Sequence, residues 1–459
     1  MKNSVMKANW IILPIILLFL FSYASTQEIQ SEPKDAEFYN NRGMDYREKG
    51  FFDQAISDYN KALEINPKFA YAYNNRGMAY RDKGHYDQAI SDYNKALEIN
   101  PRYAYAYNNR GIAYADKGQS DQAISDYNKA LEINPRYAYA YDNRGVAYME
   151  KGQYDQAISD FNKTLDINPG FAYAYSNRGI AYRHKGQYDQ AISDFNKALK
   201  INPKYAYAYN HRGIAYADKA QYDQAISDFE QALEIYPRYT EAYNNRGKAY
   251  RGKGQYDQAI SDYNKALEIY PKFAYAYNSR GNVYKDKGQY DQAISDYSKA
   301  LEINPRFAEA YYNRGIAFLE KGQYDQAISD YNKALEINPR FDEAYSNRGI
   351  AYRRKGQYDQ AISDYSKALE INPKFDEAYN NRGNAYCEKG QYDQAISDYN
   401  KTLEINPRFA EAYYNRGRAY YLKREYDKSL EDIKKAQDLG YKIPPKFLDD
   451  LRNASRKKN

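Results

Sequence analysis

Residues that could move protons or hold a metal are few in this 459-residue chain. Its three histidines, His85, His184 and His211, lie far apart among unrelated neighbours. They are poor candidates for a metal site or an acid–base pair. The single cysteine, Cys387, permits no intramolecular disulfide, which suits an oxidising compartment as well as a reducing one. It reads as incidental rather than reactive. The glycines stand singly rather than in the cluster that cradles a phosphate. Carboxylates are abundant but strictly periodic, as solvated faces and helix caps are. No catalysis, cofactor or metal site is expected. Two charged series do recur: Arg76, Arg110 and Arg212 belong to one, and Asp92, Asp126 and Asp228 to the other. Each arginine is expected to pair with an aspartate of its own helical hairpin or the adjoining one. Desolvation would offset much of the attraction if the pair is buried. The functional alternative is a row of guanidinium groups that binds phosphates.

The elements that position these groups follow from one period. Pro67, Pro101, Pro135 and their successors to Pro407 recur every 34 residues. Twelve copies begin at Ala36, Ala70, Ala104, Ala138, Ala172, Ala206, Thr240, Ala274, Ala308, Asp342, Asp376 and Ala410. A fixed period of this size marks a stacked solenoid. In the copy from Ala70, Tyr73, Gly77 and Tyr80 fall on one helical face. Gly84 can end that helix in the left-handed conformation. Asp87 suits the start of a second helix, by capping it or opposing its dipole. Ala89, Ile90, Tyr93, Ala96 and Leu97 line the second helix, and Pro101 stops it. Each helix is about 21 Å long, too short to be stable alone. Each hairpin therefore depends on its neighbours.

The series Tyr73, Gly77, Tyr80, Ala89, Tyr93, Ala96 and Pro101 resembles the signature of the tetratricopeptide repeat (TPR). The resemblance runs through residues 36–443. One departure recurs: the residue before the first-helix glycine is arginine in every copy, from Arg42 to Arg416. The resemblance implies an all-α fold, a right-handed superhelical solenoid of helix-turn-helix hairpins. It also implies a concave groove that holds extended or helical peptide. The stripe corresponding to that groove begins with Glu37, then Tyr71, Tyr105, Tyr139, Tyr173 and Tyr207, then Glu241, Tyr275, Glu309, Glu343, Glu377 and Glu411 in successive copies. Its first half is expected to be aromatic and its second acidic. The alternative is that these tyrosines pack between repeats. Ile112, Ile180 and Ile214 suggest an apolar strip beside them. Asn75, Asn109, Asn143, Asn177 and Asn245 resemble part of a carboxylate clamp, without its lysine. They read better as a ladder gripping a peptide main chain.

Apolar residues make up 43% of the chain, but 58 tyrosines supply much of that, and a buried tyrosine hydroxyl needs a partner. A net charge of +6 is mild at this length and does not suggest a nucleic-acid partner. Residues 1–24 read as an export signal. Lys2 and Lys7 precede an apolar run from Trp10 to Phe21, and Ser22, Tyr23 and Ala24 match a signal-peptidase site. The alternative is an uncleaved anchor that tethers the chain through residues 10–21. Either puts the repeats in the cell envelope, periplasmic or secreted. Residues 25–35 read as a linker and 36–443 as the repeats. Residues 444–459 read as a capping helix, from Lys446 to Arg452, followed by a frayed basic tail. The leading reading is a scaffold for protein or peptide partners. Its alternatives are an envelope element that self-associates end to end, and a scaffold for polysaccharide.

Overall fold

The computed structural model describes residues 35–458, with side chains through Arg456. The signal or anchor reading and most of the linker lie outside the described residues. Those residues form an all-α protein, with 25 helices and no strand. They divide into two units, the first ending at Ala147 and the second beginning at Tyr148. In the first unit the hairpins are α1 (Ala36–Glu48) with α2 (Phe52–Ile65), α3 (Ala70–Asp82) with α4 (Tyr86–Ile99), and α5 (Ala104–Asp116) with α6 (Ser120–Ile133). The unit boundary falls inside α7 (Ala138–Glu150). In the second unit the same alternation runs from α8 (Tyr154–Ile167) to α24 (Tyr426–Asp438), and α25 (Pro445–Lys458) follows. From α1 to α6 and from α8 to α25, every helix packs against the next in sequence.

Small residues set how closely the helices approach. In α3 the buried positions are Ala70, Ala72, Asn74, Gly77 and Ala79, whereas Tyr73 and Tyr80 are half-buried. The face centred on Tyr73, Gly77 and Tyr80 does turn inward, with the glycine buried and both rings packed half-buried against core clusters. A Cβ on Gly77 would stand 2.8 Å from the ring of Tyr93, so the absent side chain is what admits that ring. The second helix matches its sequence pattern, with Ala89, Tyr93, Ala96 and Leu97 buried and Ile90 half-buried. Ala96 and Leu97 then meet Ala70, Tyr103 and Ala106, which joins one repeat to the next.

The turn between paired helices uses a left-handed residue, with Gly84 at φ +79°. Ala220 and Arg424 hold the same conformation at φ 57° and 64° without being glycine. Asp87 does not cap α4. The cap position is His85, which makes no side-chain cap bond. Asp87 lies in the first turn, where its carboxylate accepts from Lys117 Nζ of the next repeat at 2.5 Å. At the chain end, α25 packs through Leu451 against Ile433, Ala436 and Ile443. This helix runs to Lys458, well past Arg452, so the basic tail is helical rather than frayed. Among the described residues no helix is long and apolar enough to cross a membrane.

Candidate functional site

The recurring arginines are committed inside the fold. Arg76 Nε and Nη2 donate to the two carboxylate oxygens of Asp92, at 2.7 and 2.6 Å. Arg110 with Asp126 and Arg212 with Asp228 repeat this fork within their own hairpins. The third arm reaches back one repeat: Arg76 Nη1 donates to Asn60 Oδ1 at 2.6 Å, and Arg110 Nη1 to Asn94 Oδ1 at 2.5 Å. The guanidinium also lies 5.4 Å from the Tyr73 ring centroid, within cation–π reach. Burial pushes the Asp92 carboxyl above its ordinary value, and the paired guanidinium pulls it back only in part. Desolvation works to lower Arg76, yet the hydrogen bond and charge of Asp92 hold it above the usual arginine value. With its fork occupied, this row offers phosphates no open donor set. The arginine that replaces the usual aliphatic residue thus ties three helices from two repeats. The sequence held a signal for the third arm, since Asn60, Asn94 and Asn128 recur in step.

The asparagines of the first helices also bond between repeats. Asn75 Nδ2 donates to Asn40 Oδ1 at 2.9 Å, Asn109 to Asn74 at 3.0 Å, and Asn143 to Asn108 at 3.0 Å. In the second unit Asn245 donates to Asn210 at 3.1 Å, and Asn177 is half-buried. These amides knit the floor of the first-helix face, so one donor of each bonded amide is already spent. A ladder wholly free to grip a peptide is not what the fold provides. The spacing that suggested it is the same spacing that places each amide opposite its neighbour.

The tyrosine stripe is open. Tyr71, Tyr105 and Tyr139 are 55, 56 and 59% exposed, on the first turns of α3, α5 and α7. Each is braced by an aromatic residue at a helix entry. Tyr71 is 5.0 Å from Tyr103, Tyr103 is 6.3 Å from Tyr105, Tyr105 is 4.9 Å from Tyr137, and Tyr137 is 6.4 Å from Tyr139, centroid to centroid. Tyr103 and Tyr137 are buried, and burial pushes both phenols far above the ordinary tyrosine range. They hold the exposed rings without being groove residues themselves. An aromatic residue precedes every first helix after α1, so this bracing row was visible in the sequence but not assigned a role. Tyr71, Tyr105 and Tyr139 border a concavity of about 670 Å³ in the first unit, with Asn75, Asn109 and Arg102 also on its walls.

The rest of the stripe is uneven. In the second unit Tyr173 is exposed beside Tyr205, and Tyr275 is exposed beside Phe307. Tyr207 instead packs on His211 at 4.2 Å and is half-buried. The isoleucines do not form an open strip. Ile180 is buried with Ala191, Phe195 and Ala215, and Ile112 and Ile214 pack half-buried against neighbouring clusters. The next repeat roofs these positions, an effect that spacing within one helix cannot reveal. Glu309, Glu343, Glu377 and Glu411 are exposed. No group of three or more metal-ligating side chains occurs among the described residues.

Tetratricopeptide repeat models match residues 104–137, 138–171, 172–205, 206–239, 240–273, 308–341 and 342–375, and further ones match 262–295, 365–397 and 410–439. A related TPR repeat model matches 43–80, 77–118, 281–322 and 383–423. Comparison with curated proteins gives no match. Among solved structures, the APC/C hetero-tetramer Cut9-Hcn1 is 15% identical, with 91% of this chain and 96% of that chain covered and a TM-score of 0.49. MamA is 36% identical over 36% of this chain and 96% of its own, with a TM-score of 0.33. YrrB, described as a TPR protein with an unusual peptide-binding site, is 27% identical over 40% of this chain and 95% of its own, with a TM-score of 0.35. At these scores no binding geometry transfers from them.

Proposed function

This chain belongs to the tetratricopeptide repeat family, and from that premise we propose that its exposed first-helix face holds a peptide or protein partner. Repeats of this family serve in general as protein-interaction scaffolds without catalysis. The observation that carries the finer reading is the row of Tyr71, Tyr105 and Tyr139, more than half exposed yet braced from beneath. Exposed rings held in place lose little side-chain entropy on binding, and tyrosine offers both an apolar face and a hydroxyl. A chain that wasted such rings on solvent would gain nothing from bracing them.

The test is a combined Tyr71→Ala, Tyr105→Ala and Tyr139→Ala variant. Its helical circular dichroism is expected to match the parent, because the substituted rings are largely outside the core. Crosslinking capture of partners in the native cell is expected to fall about tenfold or more, as loss of aromatic anchors does elsewhere. Unchanged capture with unchanged helicity sinks the reading. The residues before Ala36 are proposed to direct export to the cell envelope, either cleaved or retained as an anchor. This rests on the apolar run from Trp10 to Phe21. Cell fractionation of the native protein decides it, and recovery in the cytosol would overturn it.

A further inference from the structure

Cations in the first unit are mostly paired. Arg42, Arg47, Arg76, Arg81, Lys83, Arg110 and Lys117 all contact carboxylates, most of them across helices. Lys68, Arg102 and Arg136 contrast with them. Each follows the proline of a loop that leads into a first helix, each is exposed, and no carboxylate among the described residues lies within salt-bridge distance. Their loops are fixed: the Asn66, Asn100 and Asn134 side chains accept from the backbone N–H of Lys68, Arg102 and Arg136 at 3.1 Å. Arg102 shares the walls of the concavity with Tyr71, Tyr105 and Tyr139. The stripe position carries tyrosine at Tyr71, Tyr105 and Tyr139, after Glu37 in the first copy, whereas the last four copies place glutamate there. At the corresponding loop of the second unit's first full hairpin, Gly170 replaces the base. The first unit thus has a strip in which exposed rings alternate with unneutralised cations.

We propose that this strip takes an extended acidic peptide. The peptide's carboxylates meet Lys68, Arg102 and Arg136, and its side chains lie across Tyr71, Tyr105 and Tyr139. The proposal rests on the reading that the first-helix face is the binding face, and adds the chemistry of the partner. Positive charge left unpaired beside apolar rings is complementary to an anion that also presents apolar groups. The pitch is set by the rings: one repeat is crossed in two steps, of 5.0 and 6.3 Å, between Tyr71 and Tyr105. The direct Tyr71–Tyr105 separation is no more than the sum of those steps, and three residues of an extended polyproline II peptide span about 9 Å in one turn, so acidic side chains every third residue return to the same face and keep register with the loops. A peptide is favoured over an acidic sugar by the floor. Asn75 and Asn109 border the concavity, and each primary amide has a second N–H beyond the one given to its neighbour. Those donors suit main-chain carbonyls.

The full chain is titrated with three probes: a dodecapeptide with glutamate at every third position, the same peptide with lysine in place of glutamate, and a galacturonate oligomer of similar length. The glutamate peptide is expected to bind most tightly, and to weaken as salt rises from about 50 to about 500 mM. Its Kd is expected to rise about tenfold with Tyr105→Ala and about as much with Arg102→Glu. Both positions are exposed, so helicity should hold. If the lysine peptide binds equally well and loses affinity with Tyr105→Ala, the acidic-partner proposal falls while the binding-face reading stands. If neither peptide binds, or neither depends on Tyr105, both fall. Tighter binding of the galacturonate oligomer overturns the peptide in favour of a polysaccharide.

Discussion

At the scale of single residues, the asparagine ladder has a defective rung. Its register sets His211 opposite Ser176, and both His211 Nδ1 and Ser176 Oγ are buried without a hydrogen bond. Burial pulls the His211 imidazole down to about 3, with the charges of Arg183 and His184 adding to the effect. The unfolded chain takes up this proton near 6.5, whereas the folded chain resists it until about 3. Stability is therefore lost as pH falls from about 6.5 towards 3, because the unfolded state binds the extra proton. At pH 4.5 the loss from this one group is on the order of 2 kcal/mol, allowing for partial exposure of the ring. His211→Asn is expected to remove that loss, so that melts at pH 7 and pH 4.5 differ less than in the parent. An identical pH dependence in the variant would refute it. The replacement of asparagine by histidine is plain in the sequence. Its cost is visible only once the facing serine is known, because the partner lies 35 residues away in register.

At the scale of the element, the hairpin was legible in outline. Its turn, its terminating proline and the core face of its second helix all follow from local rules. The first helix was harder, because its contacts are made by alanine, glycine and asparagine, which carry no hydrophobic signal. The close approach of Tyr93 over Gly77 is a property of two helices together. The turn of copy six offers a direct check. Ala220 occupies the left-handed region at φ 57°, where a Cβ is unfavourable. Ala220→Gly is expected to stabilise the chain by about 1 kcal/mol, read as a raised denaturation midpoint. A lowered midpoint would show that the alanine methyl makes a compensating contact.

At the scale of the whole molecule, the two ends of the repeat array bear on whether copies of the chain join. In internal repeats the third residue of the first helix is a fully buried alanine, such as Ala72 or Ala106, seated against the preceding repeat. In the first repeat this place is taken by Phe38, which is 40% exposed. A second chain docking there as an internal repeat does would meet a ring where the joint admits only a methyl group. At the other end, Leu451 of α25 covers Ile433 and Ala436. Both described ends therefore argue against one chain continuing the next as an internal repeat does. Light scattering is expected to give one mass over a hundredfold range of concentration. Phe38→Ala combined with truncation after Ile443 is expected to make that mass grow with concentration. Growth in the parent chain would show that the ends join by some other contact.

The ties between repeats also bear on how such a gene can change. Suppose recombination within the coding sequence deletes one period, Ala274 to Phe307. Arg314 then falls against Asn264, the same acceptor that Arg280 uses now. Asn313 falls against Asn244, whose carbonyl oxygen lacks a hydrogen-bond partner at present. Alleles that differ by whole periods therefore inherit a working joint at the scar. A frame-preserving loss of any other length breaks the register at once.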